Sequence, residues 1–107
     1  MKYNYTEILK QLFREHIPAD GYLVFLFGSR AVKNNHERSD IDIGVWGMEP
    51  LPTLIKADLE IAIEESKIPY FVDIVDFSLV DEQFRKEALK NIEVWNYPKN
   101  LNVRLKV

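Results

Sequence analysis

Apolar and polar positions change rhythm along this chain, and each rhythm predicts an element. In "NYTEILKQLFREHIP" the residues Ile8, Leu9, Leu12, Phe13 and Ile17 recur every three or four positions, the mark of one helix face. Asn4 or Thr6 would cap that helix and Pro18 would end it. "PADG" is a turn, and "YLVFLF" is an unbroken apolar run of strand length, implying burial on both faces. In "DIDIGVW" the period drops to two, with Ile41, Ile43 and Val45 on one face and Asp40, Asp42 and Gly44 on the other. The helical period returns from Leu51 to Ser66 through Leu51, Leu54, Ile55, Leu59, Ala62 and Ile63. After Pro69, "YFVDIVDF" predicts another strand. Asp81 to Ile92 carries a further amphipathic stripe through Phe84, Ala88, Leu89 and Ile92, with Ser78 or Asp81 as its cap.

The predicted order is helix, strand, turn, strand, helix, strand, helix. It describes one small α/β (α+β) domain over residues 1–107, a mixed sheet flanked by helices. The connection 28–39 is too short for a full crossover helix, so the first two strands are expected to pair antiparallel. Lys33 to Ser39 reads as a polar loop. In the 98–107 tail, "LNVRLKV" alternates as an edge strand does, and a frayed end fits equally well.

Composition narrows the classes. The chain is 47% hydrophobic and 12% aromatic over 107 residues, enough for one core and too ordered in pattern for disorder. A net charge of −3 argues against non-specific binding to nucleic acid or anionic membranes. There are no cysteines, which removes disulfides and thiolate metal sites. Neither a signal peptide nor a membrane span is expected, so the expected setting is cytoplasmic.

The chemistry lies in the acids. Two unpaired carboxylates within an apolar strand cost several kcal/mol and repel each other, unless a cation is expected there. Asp40 and Asp42 leave one face with Cα atoms roughly 6.5 Å apart, close enough to converge on a divalent ion. "VDIVD" offers a third ligand, but the odd spacing of Asp73 and Asp76 sends them to opposite faces. Asp73, flanked by Val72 and Ile74, is the choice. Mg²⁺ suits such hard oxygen donors, and three aspartates can hold two ions that clamp an in-line displacement at phosphorus. Upstream, Gly28 lacks a Cβ, so a polyphosphate can approach its backbone, and Ser29 adds a hydroxyl and an N–H. A short helix starting at Arg30 would add free amides, and Arg30 itself a charge.

Each fragment alone is ordinary: a Gly-Ser is usually a turn, an Asp-x-Asp usually a solvated loop. Their order, each beside or within an apolar strand, is what makes them specific. Competing chemistries fail. Phe27-Gly28-Ser29-Arg30-Ala31 lacks the Gly-x-Ser-x-Gly spacing of a nucleophile elbow, and no Gly-Lys-Ser/Thr exists for a P-loop. His16 and His36 stand twenty residues apart without zinc-ligand spacing. His16 fits a helix C-terminus and His36 a loop. The five tyrosines and two tryptophans lack a basic stripe, although Trp46 and Trp95 are suited to an interface.

"GSRAVKNNHERSDID" resembles the signature of nucleotidyltransferases of the DNA polymerase beta superfamily: Gly-Ser, ten residues, Asp-x-Asp. The short length and "VDIVDF" are similar to the minimal nucleotidyltransferase (MNT) group, which includes MntA-type antitoxins. The likeness runs from Leu26 to about Tyr97. It departs at Val32, Lys33, Asn34 and Asn35, where members commonly carry a glycine. The resemblance implies that Gly28 and Ser29 hold nucleotide phosphates, that Asp40 and Asp42 bind magnesium, and that Asp73 supplies the third carboxylate. It also implies an all-helical HEPN-family partner and transfer of AMP from ATP, or another nucleoside triphosphate, to a tyrosine of that toxin. The alternative is a weakly catalytic or non-catalytic module that neutralises the helical partner by complex formation. A domain this small leaves little surface to recognise an acceptor, so a partner chain, a second copy (a homo-oligomer), or both would complete the site.

Overall fold

The computed structural model describes residues 4–31 and 40–99. Helix α1 (Tyr5–His16) begins where the Asn4 side chain accepts a hydrogen bond from the Glu7 amide at 3.2 Å. Its last residue, His16, donates from Nδ1 to the Leu12 carbonyl at 2.8 Å. Strands β1 (Tyr22–Phe27) and β2 (Ile41–Gly47) follow, antiparallel as the short connection requires. Helix α2 (Thr53–Glu65) then crosses over to strand β3 (Val72–Asp76), which lies parallel to β2. Helix α3 (Glu82–Ala88), capped by Asp81 through the Phe84 amide at 2.7 Å, leads to strand β4 (Glu93–Asn96) on the far side of β1. The sheet order is β3-β2-β1-β4.

Side-chain alternation gives the sheet two apolar faces. Val24 and Leu26 of β1 join Ile41, Ile43, Val45 and Ile74, packing against Leu9 and Phe13 of α1 and Leu59 and Ile63 of α2. Leu23, Phe25 and Phe27 point the other way, into a smaller core with Phe77 and Leu89 beneath α3. Gly44 belongs to this second face: a Cβ there would collide with the Phe25 ring and stand 2.8 Å from that of Phe77. The missing side chain lets the Phe25–Phe77 edge-to-face pair close to 4.8 Å over the strand.

Three details differ from the pattern-based reading. Leu54 is 78% exposed, because α2 starts only at Thr53 and the period cannot be carried across Pro52 from Leu51. Phe84 is 42% exposed and so only partly serves the core stripe. β4 adds an edge strand over residues the pattern leaves unassigned. It is held in part by Asn96, whose Nδ2 donates to the carbonyls of Ala19 and Tyr22, both at 2.8 Å. The predicted loop 33–39, with His36, and the alternating tail 101–107 lie outside the described residues.

Candidate active site

One row of residues crosses the sheet where β1 ends and β2 and β3 begin. Phe27 stands opposite Asp42 in the antiparallel pair, and Asp42 stands level with Asp73 in the parallel pair. Level residues on neighbouring strands share a face and lie about 5 Å apart at Cα, so the two carboxylates emerge side by side. They emerge on the α3 face of the sheet, the face of Phe25 and Gly44. Asp40 precedes Asp42 by two residues at the exposed mouth of β2. Burial pushes the Asp42 carboxyl above its ordinary range, and the negative charges of Asp73 and then Asp40 raise it further.

Asp76 takes the opposite face and a structural task. Its carboxylate accepts from the Leu51 amide at 2.8 Å, the Ser78 amide at 2.9 Å and the Ser78 hydroxyl at 2.7 Å. Those bonds tie the end of β3 to the start of α2. The register therefore separates the two acids of "VDIVD" as their odd spacing requires, and Asp73 is the one beside Asp42.

The Gly-Ser turn lies against Asp42. Gly28 has φ +75°, in the left-handed region that favours glycine. A Cβ there would overlap Asp42 Oδ2 and lie 3.2 Å from its Cγ, so only a glycine lets the carboxylate rest against the turn. Gly28–Arg30 forms one 3₁₀ turn, closed by the Ala31 amide donating to the Gly28 carbonyl at 3.1 Å. The helical turn thus starts at Gly28 rather than at Arg30. The Arg30 guanidinium lies 4.4 Å from the centroid of the Tyr70 ring, which meets Tyr5 edge-on at 5.8 Å.

The donor set is all carboxylate oxygen, which matches a hard divalent cation such as Mg²⁺ and suits softer metals poorly. The mutual repulsion at Asp42 is the kind of strain a cation relieves. Among the described residues, however, no three His, Cys, Asp or Glu side chains stand close enough to hold a metal ion as they are. The strands deliver a level pair, with Asp40 at its edge.

Two cavities flank the acids. One, of about 280 Å³, is lined by Phe27, Gly28, Phe84, Glu87, Ala88 and Asn91. The other, of about 340 Å³, lies beside Asp73 and is walled by Ile63, Ile68, Tyr70 and Phe71. Neither was legible as a site. Phe84 reads as a core residue in the helical stripe, and nothing in the sequence relates Asn91 to Gly28.

A mixed sheet that sets a Gly-Ser turn against aspartates on adjacent strands defines the nucleotidyltransferase class. Residues 7–99 match the family described as Polymerase beta, Nucleotidyltransferase, and the chain belongs to that family. It is 34% identical over 87 residues to the probable protein adenylyltransferase MntA of Haemophilus influenzae, covering 81% of this chain and 74% of that relative. In fold it is similar to a chain of a toxin–antitoxin crystal structure with AMP-PNP. There the TM-score is 0.68 at 24% identity, covering 92% of this chain and 76% of that one. It is also similar to a chain of the tri-AMPylated Shewanella oneidensis HEPN toxin in complex with its MNT antitoxin. For that pair the TM-score is 0.61 at 21% identity, over 87% and 72% of the two chains. The likeness to minimal nucleotidyltransferases expected from the motif is thereby borne out. Among the described residues no helix is long and apolar enough to cross a membrane.

Proposed function

We propose that this chain is a metal-dependent adenylyltransferase that moves AMP from ATP to a hydroxyl of a protein partner. The acceptor is a tyrosine of a HEPN-family helical protein, and the modification makes this chain an antitoxin. The observation that carries the reading is Asp42 lying against the Cβ-free turn at Gly28, with Asp73 level beside it on the next strand. The names of the relatives support the nucleotide and the partner: one is called a protein adenylyltransferase, and another is an MNT antitoxin beside an AMPylated toxin.

In this reading Gly28 and Ser29 receive the triphosphate, Gly28 by leaving room at the backbone and Ser29 through its hydroxyl and amide. Asp40, Asp42 and Asp73 would hold Mg²⁺, two ions in the full site, supplying neutralisation of the charge that builds at the α-phosphoryl group. Asp73, on the edge strand, would take the proton from the acceptor hydroxyl. The hydroxyl oxygen bonds to the α-phosphorus, the bond to the β-phosphate oxygen breaks, and pyrophosphate leaves. Positioning and charge neutralisation carry the rate, because such transfers require little covalent work from the protein. Arg30, stacked on Tyr70, adds positive charge at the rim. The acceptor side is completed by the partner, or by a second copy of this chain, in a cytoplasmic setting.

The test is the intact mass of the HEPN protein after incubation with this chain, ATP and Mg²⁺. The wild type is expected to add AMP and Asp42→Asn to add none. A second reading is neutralisation by complex formation alone. A stable complex with no adduct on either protein would establish it.

A further inference from the structure

We propose that Tyr70 is a positioning residue of this active site: its ring holds the Arg30 guanidinium across the end of the acid-bearing strands, where that charge meets a polyphosphate. The inference rests on the nucleotide reading above and deepens it by naming what orients the cation. Arg30 ends the 3₁₀ turn that follows β1, and Tyr70 stands two residues ahead of β3. Between those two strands lies β2, which begins at Ile41. A side chain that reaches from the turn to Tyr70 therefore crosses the end of the sheet at which Asp42 and Asp73 stand level. Tyr70 also borders the cavity beside Asp73, so one ring adjoins both the cation and the third carboxylate.

The ring is itself fixed. It meets Tyr5, the first residue of α1, edge-on at 5.8 Å and 79°, and packs against the core on that face of the sheet. The backbone beside it is tied to β2, because the Phe71 carbonyl accepts the Ile41 amide at 2.9 Å. An arginine side chain on a short turn has many rotamers, and ordering it only when a ligand arrives opposes binding. A fixed ring that gathers the guanidinium beforehand removes that opposition. The aspartates at this end attract a guanidinium as a phosphate does, and the negative face of the ring competes for it while leaving its charge intact. Packing against Tyr5 and the core would be served by an aliphatic side chain; holding a cation by its face would not.

The experiment is calorimetric titration of the full chain, in Mg²⁺, with ATP and with inorganic tripolyphosphate. Tyr70→Leu is expected to weaken both ligands by about three- to tenfold, the worth of one cation–π contact. Tyr70→Phe, which keeps the ring face, is expected to stay within about twofold of wild type. In an Arg30→Met background, Tyr70→Leu is expected to cost no further affinity, since the cation it positions is already gone. Because Tyr70 also packs on Tyr5, phenylalanines with one, two and three ring fluorines are placed at position 70 as well. Fluorine drains the negative face at nearly constant size, so affinity should fall stepwise while the melting temperature holds. Tyr70→Leu that binds as wild type does, the same loss with Arg30→Met as without it, or affinity indifferent to fluorination each overturns the positioning role and leaves the phosphate turn standing. Binding of neither ligand to the wild type overturns the nucleotide reading, and the role of Tyr70 falls with it.

Discussion

Adding one methyl group at Gly28 perturbs the centre of the site in two separable ways. The backbone there has φ +75°, which costs an L-residue about 1–2 kcal/mol. The new Cβ also overlaps Asp42 Oδ2 and crowds the Cγ at 3.2 Å and the Cβ at 3.3 Å. The overlapped atom ends a rotatable side chain, so the fold survives by swinging the carboxylate away from the turn. Gly28→Ala should therefore lose about 1.5–3 kcal/mol of stability, the backbone cost and the overlap together. In a domain of about 100 residues that corresponds to a fall in Tm of about 6–24 °C. Thermal melts of four proteins (wild type, Gly28→Ala, Asp42→Ala and the double variant) separate the two terms. In the Asp42→Ala background the overlap is gone and only the backbone cost remains, so the cycle should return a coupling of about 0.5–1 kcal/mol. Loss of nucleotide binding should exceed what the lost stability explains. A Tm within about 2 °C of wild type, together with undiminished ATP binding, would refute the claim that Gly28 is required by Asp42.

Asp42→Asn tests the electrostatics. The folded-state carboxyl of Asp42 is raised by burial and by Asp73 and Asp40, so folding takes up protons as this group titrates. Its contribution is thus most favourable at low pH and is lost as pH rises from the ordinary aspartate range through the raised value. Without metal, the Asn variant should melt at or slightly above the wild-type temperature near neutral pH, and that excess should vanish below the ordinary aspartate range. Asp76→Ala should behave in the opposite way: it orphans the Leu51 amide, costing about 1–3 kcal/mol in a denaturant titration, and leaves ATP affinity unchanged. Lys67 ends α2 in the left-handed region at φ 61° with its side chain exposed. Lys67→Gly should raise stability by up to about 1 kcal/mol, the relief of strain less the extra freedom of the unfolded chain, as a thermal melt would show.

How much of this was written in the sequence depends on range. Local periodicity located α1 and β1, because each signal is carried by consecutive turns or an unbroken run. The antiparallel pairing of β1 and β2 followed from loop length alone. Parity excluded a shared face for Asp73 and Asp76, but their tasks emerge only with the register of β3 on β2 and the reach of Asp76 to Leu51. Nothing in a linear pattern says that Gly28 and Asp42 touch, since that contact depends on how β1 and β2 pair across the intervening loop. β4 escaped because "EVWN" is four residues long and directly follows a helical stripe that absorbs Ile92. Leu54 was misplaced by counting through Pro52, where the helix had not begun. The cavity under α3 needs Phe84 and Asn91 beside Gly28, a meeting of residues about sixty positions apart.

The most direct test follows phosphorus. The chain is incubated with Mg²⁺, the proposed HEPN-family partner and ATP labelled at either the α- or the γ-phosphate. Nucleotidyl transfer at the Asp42–Asp73 pair predicts label in protein from the α position alone, with the γ label released in pyrophosphate. Label arriving from the γ position, or from neither while the complex forms, would contradict it.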